Sequence, residues 1–255
     1  MKSKEDILGY AVDAGGVAEC VNEIVHSITD AAQPFRWLAC MNPHGYVVAL
    51  NDADYAKALH SADWLVPDGA GIVIASRWLR GRMRERVTGS DIFWHVQKNL
   101  DRLGGFSIFL LGSTEDTLTM IRNKMASDFP RLRIAGTYSP PFSDRYTAEE
   151  NDRMISAIND AHPDVLWVAM TAPKQERWIH ANHGRLNVRF AAAIGAVFDF
   201  YSGRIRRSHP VFQRVGLEWL PRLLQEPGRL WRRMFVSAPV FMWHVLRRRF
   251  VSLTP

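Results

Sequence analysis

From residue 36 to residue 200 the chain alternates short apolar runs with amphipathic stretches, and that alternation limits the folds open to it. RWLACM (36–41), WLVP (64–67), FSIFLLG (106–112), LRIAGTY (132–138) and DVLWVAM (164–170) read as buried strands. The intervening segments carry apolar residues three and four positions apart, as in Val17, Val21, Ile24, Val25 and Ile28, which is helical spacing. Helices are expected over residues 14–32, 44–60, 70–81, 113–129, 147–161 and 175–184. Another is expected over 90–103, capped by Ser90 with Asp91 in its first turn. Thr147 and Glu150 have capping-box spacing, and residues 188–200 read as a strand or turn. Strands alternating with helices predict an α/β fold: a Rossmann-like, mostly parallel sheet with helices on both faces.

Near residue 204 the pattern changes to arginine-rich helical sequence broken at Pro221, Pro227 and Pro239. A boundary there divides a Rossmann-like domain, 1–203, from a helical appendage, 204–255. Charge divides at the same place. Of the net charge of +6, the segment from residue 204 carries +9, from eleven arginines against Glu218 and Glu226, so the body carries −3. A cationic tail on an acidic body expects an anionic partner, nucleic acid or phospholipid. The tail interleaves Leu217, Trp219, Leu220, Leu223, Leu224, Leu230, Trp231 and Phe235 with Arg222, Arg229, Arg232 and Arg233. That pattern suits a helix lying in an anionic membrane interface, and equally an amphipathic helix packed on the body. The longest apolar stretch near the end, FVSAPVFMWHVL, is too short to span a bilayer. MKSKEDILGY lacks the apolar core of a signal peptide, and the two cysteines, Cys20 and Cys40, fit a reducing compartment, so a cytosolic chain is expected.

Ligands of open α/β sheets bind where strands end and helices begin. Four such turns are rich in glycine or polar residues: Asn42-Pro43-His44, Asp68-Gly69-Ala70-Gly71, Gly112-Ser113-Thr114, and Thr171 to Glu176. Glycine admits close backbone approach, and a helix N-terminus favours phosphate, so Gly69, Gly112 and Ser113 are candidate ligand contacts. Asp68, directly after a buried strand, is placed to lose hydration, which raises a carboxyl pKa and suits a general base. Pro-Asp-Gly is also a common turn tripeptide. Arg86 could pair with phosphate through its planar fork, or be a solvated arginine. Gln175 and Glu176 could read hydroxyls, and Asp199 could accept a hydrogen bond from ribose or base. Each could equally be an ordinary first-turn or turn residue.

The nine histidines are scattered, His180 and His183 excepted, and those two read as a solvated helix end, so no metal site is expected. GxSxG, GxxxxGK[ST] and GxGxxG are absent, which removes support for hydrolase, NTPase and dinucleotide-dependent readings. A UDP-sugar epimerase, which needs a nicotinamide site, loses support with them. No cofactor is expected.

Asn42-Pro43, VPDGAGIV, RERVTGSD, LLGS, APKQERW, GAVFDFYSG and GLEWLPRLLQEPGRLWRR follow one another in a fixed order. In these seven stretches the chain resembles the WecG/TagA/CpsF family, glycosyltransferase family 26, over nearly its whole length. The resemblance implies an inverting, metal-independent enzyme. It would move a sugar from a UDP-sugar donor to the 4-hydroxyl of a polyprenyl-diphosphate-linked acceptor during surface polysaccharide biosynthesis. It implies a peripheral position at the cytoplasmic face of the membrane. Asp68 matches the family's base and Arg86 the arginine facing the leaving diphosphate. Asn42 matches a strand-end asparagine, Gln175 the glutamine of the PKQE turn, and Asp199 an acid on the nucleotide side. Arg222 and Arg229 are the tail arginines assigned to the substrate.

Two departures stand out. Cys40 replaces a threonine whose hydroxyl would face the donor sugar, and Arg207-Ser208-His209-Pro210 replaces an Arg-Ala-Pro. N-acetylmannosamine, its uronic acid and glucose all remain open as donor sugars. The expected partners are the UDP-sugar, the lipid-linked acceptor and an anionic membrane surface, with a homo-oligomer left open. Nucleic acid is not expected, because the tail's tryptophans and leucines interleave as in a lipid-facing helix. A nucleic-acid-binding α/β protein is the alternative reading.

Overall fold

The computed structural model describes residues 3–205 and 227–251. Arg222 and the Ser208-His209-Pro210 segment lie outside the described residues. A short antiparallel hairpin, β1 (Lys4–Ile7) and β2 (Tyr10–Asp13), opens the chain. There follow α1 (Val17–Thr29), β3 (Arg36–Met41), α2 (Pro43–Ala49), α3 (Ala53–Ser61), β4 (Trp64–Pro67), α4 (Ala70–Trp78) and α5 (Gly89–Leu103). Then come β5 (Ser107–Gly112), α6 (Glu115–Asp128), β6 (Arg133–Tyr138), α7 (Ala148–Ala161), β7 (Val165–Ala169), α8 (Lys174–Asn182), β8 (Phe190–Ala193) and α9 (Val197–Tyr201). In the tail, α10 (Pro227–Arg232) continues through a π-helical turn, Arg233–Ser237, into α11 (Ala238–Val251).

Six strands form one parallel sheet in the order β4-β3-β8-β7-β5-β6. Burial on both faces explains why the inner strands are continuous apolar runs, whereas the edge strand β6, RIAGTY, is only partly buried. All of β7 is buried, yet its residues alternate in direction. Leu166 and Val168 join the core on one face, Val165, Trp167 and Ala169 the core on the other. Trp37, Trp64 and Trp167 are fully enclosed. The α/β expectation and the helical appendage are therefore as the sequence predicts.

Three local expectations change. Helix α5 is capped by Thr88 rather than Ser90: Thr88 Oγ1 accepts from Asp91 N, and the Asp91 carboxylate accepts from Thr88 N at 3.0 Å, a complete capping box. The expected helix over 44–60 is two helices, because the Asp52 side chain accepts from Tyr55 N and starts a new one. The β1–β2 hairpin, unexpected from sequence, fits the edge of the sheet: Asp13 Oδ2 accepts from Leu65 N at 2.7 Å, and Glu5 accepts from Ser76 Oγ of α4 at 2.6 Å. It therefore steadies the edge strand β4 and the helix that follows it.

A cleft at the carboxyl ends of four adjacent strands

Strands β4, β3, β8 and β7 are neighbours, so their carboxyl ends open onto one place. A cavity of about 500 Å³ lies there. Cys40 and Asn42 enter it from the end of β3, Asp68 and Gly69 from the end of β4. Arg86 comes from the loop before α5, and Gln175 and Glu176 from the first turn of α8. Seven of the positions singled out from the sequence thus face one cleft.

Local rules place each of them. Asp68 N donates to Met41 O at 2.8 Å, extending the β3–β4 ladder by one residue and holding Asp68 at the rim. Gly69 then takes φ +102, a conformation that favours glycine, before α4 begins. At Gly71 a Cβ would stand 2.5 Å from Pro43 Cγ, so the starts of α4 and α2 pack in contact. Asn42 does not reach outward with its oxygen: its side chain accepts from Gly45 N at 2.9 Å and caps α2. Arg86 is half-buried and precedes Val87, whose N–H donates to Pro67 O at 3.0 Å. That bond fixes the arginine beside the strand end that carries Asp68.

Gln175 is spent on structure. Its Oε1 accepts from Met170 N at 3.2 Å and from Gly195 N at 3.0 Å, tying the ends of β7 and β8 together. Its Nε2 donates to Glu176 Oε1 at 2.9 Å. Glu176 is 1% exposed, and burial pushes its carboxyl up to about 7 against the hydrogen bond from Gln175. The thiol of Cys40, a half-buried residue, is also pushed well up, first by desolvation and then by the charges of Asp68 and Glu176. The two carboxylates are thus both electrostatic neighbours of Cys40, which is neutral and supplies no strong hydrogen bond.

Gly112 and Ser113 do not line the cavity, because β5 sits one strand beyond β7. At Gly112 a Cβ would lie 2.3 Å from Ala169 O, so the glycine answers to strand packing. Asp199 lies on α9 and is also off the lining, although Val197 and Phe200 of the same helix are on it. His180 Nδ1 lies 2.7 Å from Ser61 Oγ, and His183 stacks on Phe35. Among the described residues no group of three or more metal-ligating side chains occurs.

The tail supplies a wall of the cleft, through residues that the sequence did not single out for it. Arg233, Met234 and Met242 line the cavity. Arg229 belongs to α10, with only its backbone place described. The tail is docked by His44 Nδ1 with Ser237 Oγ at 2.9 Å and Tyr46 OH with His244 Nδ1 at 2.7 Å, and also by Arg248 paired with Asp6 at 2.9 Å and by Arg249, which donates to Trp78 O. Phe241 and Val245 are fully buried beneath it. Among the described residues no helix is long and apolar enough to cross a membrane.

An open parallel sheet with a cleft past its strand ends, lined by carboxylates and guanidinium groups and walled by a C-terminal helix, is the arrangement with which α/β enzymes bind small polar ligands. Which enzyme follows from comparison: residues 5–254 match the model of the glycosyl transferase WecG/TagA/CpsF family, and the chain belongs to that family. It is 32% identical over 214 residues to the N-acetylglucosaminyldiphosphoundecaprenol N-acetyl-beta-D-mannosaminyltransferase of Bacillus subtilis strain 168, covering 82% of this chain and 78% of the relative. It is 31% identical to the enzyme of the same name from Bacillus spizizenii, covering 86% and 82%. The one from Staphylococcus aureus strain MW2 is 24% identical, covering 97% and 94%.

Proposed function

We propose that this chain transfers N-acetylmannosamine from a UDP-sugar to a polyprenyl-diphosphate-linked N-acetylglucosamine, with inversion at the anomeric carbon. The relatives' names supply both sugars and the lipid. The observation that carries the chemistry is that Asp68, at the end of β4, and Arg86, from the loop before α5, enter one cavity. Asp68 takes the proton of the acceptor hydroxyl as its oxygen attacks the anomeric carbon. The bond from that carbon to the diphosphate breaks, and its electron pair leaves with UDP. Arg86 and Arg233 offset the charge gathering on the leaving diphosphate, a task that needs no metal when fixed cations do it.

The body, residues 1–203, carries the chemistry. The appendage, residues 204–255, closes the cleft and lies on the cytoplasmic surface of the membrane, where the lipid acceptor is held. Exposed Trp231, Phe235, Trp243 and Phe250 beside Arg232 and Arg247 support that reading. The test is Asp68→Asn, which keeps shape and loses the base. Transfer is expected to fall at least about 10²-fold while UDP still binds. Turnover equal to wild type would remove Asp68 from the mechanism.

A further inference from the structure

Glu176 is held more firmly than a surface reader of hydroxyls needs to be, and one of its oxygens is left over. Oε1 accepts from Gln175 Nε2, and Gln175 is itself pinned by the backbone of β7 and β8. Oε2 is buried, with no hydrogen-bond partner among the described residues, in a side chain that lines the cleft. A buried polar atom without a partner is costly, so it marks a place where something is missing. In the neutral acid the carbonyl oxygen accepts from Gln175, which leaves the O–H on Oε2 as a donor without an acceptor.

We propose that Glu176, as a neutral acid, donates a hydrogen bond from Oε2 to a carbonyl or hydroxyl oxygen of the nucleotide-bound sugar. This rests on the donor assignment above. The donor sugar is the fitting ligand because Glu176 is enclosed. A small sugar seated first can reach it, whereas a saccharide tethered to a membrane lipid approaches from outside.

The groups facing Glu176 stay out of its titration. Cys40 on β3 and Tyr55 on α3 both feel its charge, and both are pushed well above their ordinary 9.0 and 10.0 by burial. His44, elsewhere on the lining, is held below its ordinary 6.5. On its own helix Arg177 is paired with Asp52. Glu176 at about 7 is therefore the member of this set that changes charge between about pH 6.5 and pH 8.5. Asp68, Arg86 and Arg233 share the same cavity.

Affinity for UDP-N-acetylmannosamine and for UDP, measured by calorimetry on the full chain, tests this. Wild type is expected to lose affinity for the sugar nucleotide by about tenfold from about pH 6.5 to pH 8.5, as the donor proton is lost. Glu176→Gln, which keeps a donor at every pH, is expected to flatten that profile. Glu176→Ala is expected to weaken UDP-N-acetylmannosamine about tenfold at the lower pH and leave UDP unchanged. A Glu176→Ala variant that lost both ligands alike, or neither, would overturn the proposal, as would an unaltered pH profile in Glu176→Gln. Wild type that bound neither UDP nor UDP-N-acetylmannosamine would sink the donor assignment, and this inference with it.

Discussion

His44 Nδ1 and Ser237 Oγ, 193 positions apart in the chain, meet at 2.9 Å and join the first turn of α2 to the last residue of the π-helical turn. His44 is adjacent to Pro43 and close in sequence to Asn42, so this bond couples the tail directly to the strand end that lines the cleft. Burial, and then the charge of Arg233, holds the imidazole below its ordinary 6.5. The neutral ring is thus the form the docked tail prefers.

The sign of the pH effect follows. A folded-state pKa below the unfolded value means that undocked chain binds more protons as the pH falls. Docking is then at full strength above about pH 6.5 and weakens as the pH drops below it. Hydrogen exchange at the amides of α11 is expected to speed up between about pH 7 and pH 5.5, after correction for intrinsic rates. His44→Gln should remove much of that response. A flat exchange profile in wild type would show that the imidazole does not control the tail.

Gly112 separates ligand contact from packing. A Cβ there would meet Ala169 O at 2.3 Å, and the residue has φ +112. Gly112→Ala is expected to cost about 2 kcal/mol or more of stability through clash and backbone strain. UDP affinity, measured below the lowered melting temperature, should stay within about twofold. Selective loss of UDP binding with stability intact would make Gly112 a ligand contact after all.

The contrast between Gly112 and Gly69 shows what sequence could and could not reveal. Both follow an apolar run and precede a helix, and both adopt positive φ. Only strand order tells them apart, since β4 abuts β3 while β5 lies beyond β7. That order is set by long-range packing, which no local pattern encodes. The inner strands were legible because burial on both faces makes them continuous apolar runs. The Thr88 cap could have been read and was not: Thr-Gly-Ser-Asp has capping-box spacing, whereas the expectation fell on Ser90, beside the apolar run. Arg233 was harder. It belongs to the Arg232-Arg233 pair, and which member faces the cleft depends on a π-helical turn that shifts the helical phase.

Glu176 makes a prediction about stability as well as binding. Its folded-state pKa of about 7 lies above its ordinary 4.5, so the unfolded chain gives up the proton first as the pH rises. Glu176 therefore detracts from stability progressively from about pH 4.5 to pH 7, by up to about 3 kcal/mol once fully ionised. Glu176→Gln should melt higher than wild type at about pH 8 and close to it at about pH 5. Equal melting of the two proteins at both pH values would mean that the carboxyl is better solvated than its enclosure implies.

The tail's outer surface bears on where the enzyme works. Trp231 and Phe235 sit one helical turn apart with ring centroids at 5.1 Å, and both are more than half exposed. Trp243 and Phe250 on α11 are more exposed still. Water gains nothing from aromatic rings of this size, whereas a lipid interface would bury them at about 1.5–3 kcal/mol each. Arg232 and Arg247, also exposed, add attraction to anionic headgroups that salt weakens. Cosedimentation is expected to be stronger with phosphatidylglycerol vesicles than with phosphatidylcholine, and to fall with added salt. Trp231→Ser with Phe235→Ser should reduce binding to the anionic vesicles by at least about tenfold. Undiminished binding by the double variant would place the membrane contact elsewhere on the chain.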